Sequence, residues 1–314
     1  MLIPSTILLE FPFRALETEN TCMVAQAIIT SGGEESQFSK NLARRMRKWF
    51  FALPAGIGFA TLRPILELCV GFSAEKSGVF SAGNGPAMRS AIIGVCFGDD
   101  KDKLKKLVRI STRITHPDSK AEYGAIAVAL AAHLAKRQVQ EPSIYLKELQ
   151  KLIDVTGDEF LMLVRKAADS FCKMNSTETF ISELGLQNGI SGYMYHTIPA
   201  VLHIWFRHPN DIHSAFIEAI RCGGDTDTVA AIIGGIIGSG VGEEGIPNEM
   251  LDNLWEWPIT PRWIKILGEA LYEVISEGKT KKAPRIFFIS YLARNLFFMI
   301  IALIHGFRRL LPPY

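Results

Sequence analysis

The sequence predicts an all-α protein, a single orthogonal multi-helix bundle of about a dozen helices. Three observations carry this expectation. Apolar residues recur at three- and four-residue steps along most of the chain, the period of a helix face. No stretch alternates convincingly, and neither a βαβ rhythm nor an internal repeat is present. The apolar run at 229–239 carries small residues in two columns four apart, Ala230, Gly234 and Gly238 beside Ala231, Gly235 and Ser239. Glycine within a helix costs about 1 kcal/mol relative to alanine. That helix is therefore expected to be the buried central one, held by close neighbours, with acidic residues at its rim.

Taken in order, residues 21–29 and 38–51 read as helices, separated by Ser31-Gly32-Gly33. Pro54-Ala55-Gly56-Ile57-Gly58 marks a turn, and 62–70 resumes a helix. A glycine-rich passage, 77–86, leads into residues 87–91. Such a loop can turn free backbone N–H groups toward an anion or a sugar hydroxyl; on the residues alone, a connecting turn is the preferred reading. Residues 102–114 form an amphipathic helix ending at Thr115-His116-Pro117-Asp118. Pro117 disfavours helical angles at His116, which places the imidazole in an extended bend.

Helices then follow over 122–135, rich in alanine, and over 143–153 and 158–171. The glycine-bounded segment 189–197 either lines a pocket with Gly192 and Tyr193 or is a helix start packed by tyrosines. Helices at 198–205 and 212–220 feed Gly223-Gly224, and others follow at 251–255 and 263–275. This domain is expected to cover 1–275, with 276–314 forming a basic linker and an apolar C-terminal helix. The window 286–307 is the most hydrophobic, but Arg294 and Asn295 split it. Its clean part, 296–304, falls far short of the roughly 20 residues that span a bilayer. It reads as a core or surface-docking helix with no transmembrane span, and Arg308 and Arg309 would suit a lipid headgroup in peripheral membrane contact.

The composition narrows the class. The chain has 314 residues, 48% of them hydrophobic, enough for a substantial core, with a net charge of +2. Its basic residues fall in short clusters without interleaved aromatics, as on solvated helix faces, and nucleic acid is not called for. Five cysteines, scattered and odd in number, argue against a zinc site or disulfide framework and for a reducing, cytoplasmic setting. Cys222, beside the glycine pair, is a reactive thiol or, preferably, a small buried apolar residue. Residues 1–12 are apolar but lack the basic start and cleavage site of a signal peptide.

The chemistry concentrates at Gly223-Gly224-Asp225-Thr226-Asp227-Thr228, where two carboxylates and two hydroxyls precede the small-residue run. Hard divalent cations take oxygen ligands, and a helix N-terminus alone favours an anion. The aspartates are thus either caps or the negative half of a metal site.

These residues carry a resemblance to the ADP-ribosylglycohydrolase family, which includes dinitrogenase reductase-activating glycohydrolase and ADP-ribosyl-acceptor hydrolases. PAGIG (54–58), GNGPAMR (83–89), THPD (115–118), GYMYHTIPA (192–200) and GGDTDT (223–228) stand in the family's order, and the likeness runs from about residue 16 to 263. The resemblance implies an all-α fold and a metal-dependent hydrolase that removes ADP-ribose from a modified protein side chain or small acceptor. It implies two Mg²⁺ or Mn²⁺ ions, with Asp225, Asp227 and Thr228 among their ligands. It further implies that Gly83, Asn84, Gly85, Met88, His116, Gly192 and Tyr193 border an ADP-ribose groove.

The N-terminal part departs from the family pattern. The family's other metal half is a Thr-Asp-Asp-Thr string; counting back from Thr21 places it on Ala15-Leu16-Glu17-Thr18, where Glu17 is a longer carboxylate in place of one aspartate. Sliding it to Thr18-Glu19-Asn20-Thr21 restores oxygens but breaks the spacing to the helix. The family's acid/base glutamate has no counterpart, since Glu10 is the sole carboxylate before Ala15. Activity is therefore expected to be impaired, with one or none of the family's two ions retained, and a catalytically inactive ADP-ribose-binding protein is the alternative.

Overall fold

A computed structural model describes residues 16–54, 56–252 and 257–310. The apolar N-terminal stretch 1–12, with Glu10, lies outside the described residues, as do Ala15 and most of the helix expected at 251–255.

The described residues are all-α, with sixteen α-helices and no strand. In chain order these are α1 (Leu16–Ser31), α2 (Glu35–Phe50), α3 (Phe59–Cys69), α4 (Gly85–Met88), α5 (Ala91–Phe97), α6 (Lys101–Arg113), α7 (Ser119–Lys136) and α8 (Pro142–Leu152). The second half holds α9 (Asp158–Cys172), α10 (Thr177–Glu183), α11 (Met194–Arg207), α12 (Ile212–Cys222), α13 (Thr226–Val241), α14 (Asn248–Asp252), α15 (Pro261–Glu277) and α16 (Phe288–Leu310).

The centre of the bundle is α7 rather than α13. Every residue from Ala121 to Ala135 is buried, and α7 packs against α4, α5, α6, α8, α9, α11 and α13. Its alanines let neighbours approach closely. Gly94 of α5 does the same from the other side, because a Cβ there would stand 1.8 Å from the Ala129 carbonyl oxygen. Glu122 and His133, within this buried stretch, are accommodated differently. Glu122 accepts from Arg109 Nε at 2.7 Å and Arg113 Nε at 3.2 Å, both from α6. Burial drives the pKa of His133 below its usual value, keeping the ring neutral.

The small-residue helix α13 lies beside this centre. Val229, Ile232, Ile233, Ile236 and Ile237 are buried, whereas Ala230, Gly234, Gly235 and Gly238 are half-buried. Gly234 faces the Phe216 ring and Gly235 faces Ala91, but Gly238 meets nothing within 4 Å. The isoleucine stripe rather than the glycine columns docks α13, because branched side chains bury more apolar surface than glycine can.

The C-terminal helix is pinned by polar contacts. Asn295, buried, donates from Nδ2 to the Ala52 carbonyl at 2.6 Å, and Arg294 pairs with Glu19 of α1. Before α16, Gln26 donates to the Pro284 carbonyl at 2.7 Å and the Lys281 amide to the Ile29 carbonyl at 3.1 Å.

Candidate functional site

Three loops are laced together to form the site's floor. The amide of Asn84 donates to the Gly192 carbonyl at 2.9 Å and that of Met194 to the Ala82 carbonyl at 2.8 Å. The Asp225 amide donates to the Ile190 carbonyl at 2.7 Å, while the Ile190 amide reaches the Gly223 carbonyl at 3.1 Å. Gly224 makes this crossing possible. Its φ is +80°, and a Cβ would fall 2.1 Å from the Ile190 carbonyl oxygen.

The side chains follow from this floor. Asp225 Oδ2 accepts from Asn84 Nδ2 at 2.7 Å, and the same amide nitrogen reaches Thr197 Oγ1 at 3.1 Å. Asp100, Asp118, Asp154 and Asp211 each cap a helix start with a side-chain hydrogen bond, but Asp225 makes no such bond at the start of α13. Its carboxylate is held sideways instead, toward a cleft of about 480 Å³.

Opposite stands the start of α1. Thr228 Oγ1 donates to Glu17 Oε1 at 3.2 Å, and Glu17 Oε2 is buried with no hydrogen-bond partner. Burial raises the Glu17 carboxyl above the usual carboxylate range, and the neighbouring Asp227 and Asp225 charges push the same way. Asp225 is raised too, chiefly by burial, with Asp227 adding to it and the Asn84 and Thr228 hydrogen bonds opposing it.

Among the described residues, no lysine or arginine pairs with these three carboxylates. No three Asp, Glu, His or Cys groups there stand at coordinating distance, so the arrangement is a convergence of oxygens rather than a closed cage. The donor set still fits a hard cation, because an orphaned carboxylate oxygen and two raised carboxyls lack a positive partner.

His116 lies beneath the glycine turn, its Nε2 placed 3.2 Å from where a Cβ on Gly83 would sit, and its Nδ1 2.8 Å from Thr115 Oγ1. Burial, with Arg89 nearby, pulls its pKa down to about 3, so the ring is neutral at any ordinary pH. Arg89 is itself fully buried, and burial lowers it to about 10. Its guanidinium donates to Ser111 Oγ, Thr115 Oγ1 and the carbonyls of Gly85 and Ser111. It is a structural strut joining the glycine turn to the end of α6.

The cleft therefore brings together Gly83, Asn84, Gly85, Met88, His116, Glu17, Asp225, Asp227 and Thr228. Two of the expected residues do not line it. Gly192 is exposed and abuts Asp225, since a Cβ there would stand 3.4 Å from Asp225 Oδ2. The Tyr193 hydroxyl accepts from Lys120 Nζ at 3.0 Å and its ring packs edge-on against His196. Cys222 is buried, and burial pushes its thiol up to about 12, the small apolar residue rather than the nucleophile.

Other lining residues were given second place in the sequence or missed there. Glu19 and Asn20 reach the cleft together with Glu17, because α1 already begins at Leu16 and all three lie in its first turns. Glu19 is gripped by the Trp49 indole N–H and by Arg294. Arg294 and Phe298, both from α16, form part of the wall. The oxygen-rich string 18–21 was the one available signal for Glu19 and Asn20.

An all-α chain with a carboxylate-rimmed cleft between the starts of α1 and α13 is thus defined, and its family can be stated. Residues 15–280 match the ADP-ribosylglycohydrolase family, to which the chain belongs. It is similar to the ADP-ribosylhydrolase ARH3 of Mus musculus, 30% identical over 232 residues, which cover 65% of this chain and 60% of the mouse protein. The Homo sapiens ADP-ribosylhydrolase ARH3 is 30% identical over 232 residues, covering 65% of this chain and 61% of the human protein. An uncharacterized protein of Archaeoglobus fulgidus is 28% identical over 260 residues, covering 82% of this chain and 79% of its own length. The chain thus spans about 60% of the mouse relative's length. Among solved structures, an ADP-ribosylglycohydrolase-related protein complex superposes with a TM-score of 0.61 at 23% identity, over 84% of this chain and 82% of that one, a likeness of fold. Helix α16 lies outside the family-matched residues.

Proposed function

We propose that the chain binds ADP-ribose in this cleft and hydrolyses the bond joining it to an acceptor, with a divalent cation, Mg²⁺ or Mn²⁺, held by Asp225, Asp227, Thr228 and Glu17. One observation carries the reading. The Thr228 hydroxyl meets Glu17 while Asp225, freed from capping, faces the same space, so two helix starts 211 residues apart converge their oxygens. When bound, such a cation would orient ribose hydroxyls and activate water. Family membership and the ADP-ribosylhydrolase relatives support the substrate class.

The chain's own groups take defined parts. Asn84 fixes the direction of Asp225, and the Gly83–Asn84–Gly85 turn lets a ligand approach the backbone closely. His116, neutral at ordinary pH, offers shape and a single neutral hydrogen bond. Glycosidic cleavage also calls for a carboxyl group that moves the proton of the departing acceptor. Glu17, committed to the cation, is not free to be that group, which leaves Glu19 as the other glutamate lining the cleft.

A second reading, an ADP-ribose-binding protein without turnover, is favoured by the state of Glu19. Once Glu17 serves the cation, Glu19 is the cleft carboxylate left over, and Trp49 and Arg294 occupy it.

The test is release of ADP-ribose from ADP-ribosylated serine and arginine peptides in Mg²⁺ or Mn²⁺, with calorimetry on free ADP-ribose alongside. Release that EDTA abolishes and Asp227→Ala removes supports hydrolysis. Binding heat without release supports the second reading, and absence of both defeats each.

A further inference from the structure

Helix α16 presents its faces in reverse of the usual order. Two polar residues near its start turn inward, Asn295 to the Ala52 carbonyl and Arg294 to Glu19. A row of its apolar residues turns outward: Ile289 is 78% exposed, Phe297 66%, Ile300 53%, Ile304 63% and Phe307 66%. The steps from 289 through Ala293 to 297, 300, 304 and 307 are three or four residues each, one continuous stripe along the helix. The inward contacts fix the helix about its own axis, so rotation cannot hide the stripe. A contiguous exposed apolar strip of this length marks an interaction surface.

Charge decides what the surface meets. From residue 278 to 314 the chain has seven lysines and arginines and no acidic residue, although the whole chain carries only +2. Lys281 is engaged by Glu273 and Glu277, and Arg294 by Glu19. Lys279, Lys282 and Arg285 before the helix and Arg308 near its end are exposed. An apolar stripe with cations at both ends is the pattern of a helix lying in the interface of an anionic bilayer. A second copy of the chain would instead set one basic segment against another. Spanning is excluded for this helix, which is not long and apolar enough to cross a membrane and keeps an arginine and an asparagine tied to the protein within its first third.

We propose that α16 is an interfacial anchor, its outward stripe entering the headgroup–acyl boundary of an anionic lipid bilayer and its flanking lysines and arginines meeting the headgroups.

The test is co-sedimentation of the full chain with vesicles of phosphatidylcholine alone and of phosphatidylcholine with phosphatidylserine. The expected result is binding to the anionic vesicles that salt weakens. Phe297→Glu with Ile300→Glu should abolish it, and Lys279→Gln and Lys282→Gln should each lower the partition about fivefold. The substituted side chains are solvent-exposed, so an unchanged thermal midpoint and circular dichroism spectrum show that the fold is intact. Failure to sediment with anionic vesicles overturns the proposal, as does equal binding by the Phe297→Glu, Ile300→Glu variant. A concentration-dependent dimer dissolved by that variant also overturns it, since a second copy would then cover the stripe.

Discussion

Arg294 of the last helix forms an ion pair with Glu19 of the first, across 275 residues, at the wall of the cleft. Glu19 is almost fully buried and also accepts from the Trp49 indole, so its charge relies on both partners. Removing one partner of a buried pair costs more than the pair contributes as a whole. Arg294→Ala is expected to lower stability by about 2–4 kcal/mol. Adding Glu19→Gln to that variant should recover part of the loss, a non-additivity that a double-mutant cycle in urea measures.

Asn84 makes the same kind of link at the floor. Asn84→Ala removes a donor from half-buried Asp225 and a partner from Thr197, at a cost of about 1–3 kcal/mol. Because Asp225 then loses its fixed direction, Mn²⁺ affinity measured by calorimetry should fall along with the thermal midpoint. Equal affinity in the variant would show that Asp225 needs no such guide.

Gly224→Ala combines a left-handed φ with a Cβ 2.1 Å from the Ile190 carbonyl oxygen. Strain and overpacking each cost about 1–3 kcal/mol. The variant should therefore unfold at clearly lower urea than the wild type, whereas alanine at Gly238, which meets nothing within 4 Å, should be neutral or stabilising.

His203 sets a pH dependence. It is buried, stacked on Phe180 at 4.8 Å, with Nδ1 2.8 Å from Thr177 Oγ1 and Nε2 unpartnered. Burial, with help from Arg207 and against Glu218, lowers its pKa from 6.5 to about 4. The unfolded chain thus binds the proton more readily, so stability is complete above pH 6.5 and declines as pH falls toward 4. The loss amounts to about 3 kcal/mol. His116 adds a similar decline that continues to about pH 3. His203→Phe should make the stability–pH curve shallower between pH 6.5 and 4, as measured by urea midpoints.

The parts of the site that lie close together in sequence were legible there. Asp225, Asp227 and Thr228 occupy four residues after a glycine pair, and His116 is placed by its proline. The α1 contribution was harder, because the two registers weighed for its oxygen string, 15–18 and 18–21, bring different carboxylates forward and each residue step turns a helical side chain by about 100°. Only packing against Thr228 and Trp49 shows where Glu17 and Glu19 face. Arg294 was legible only as an interruption, its partner being 275 residues away. The central place of α7 was hidden as well. Glu122 and His133 resemble surface residues until the arginines of α6 and the surrounding apolar side chains are brought over them.

The bond between Thr228 and Glu17 has one more consequence. It closes a loop of 211 residues, so neither half of the chain holds the oxygen cluster alone. A proteolytic nick that releases the segment before Ser31 should silence the cluster even if the remainder stays helical. During chemical denaturation, loss of cation affinity should coincide with the global transition instead of preceding it.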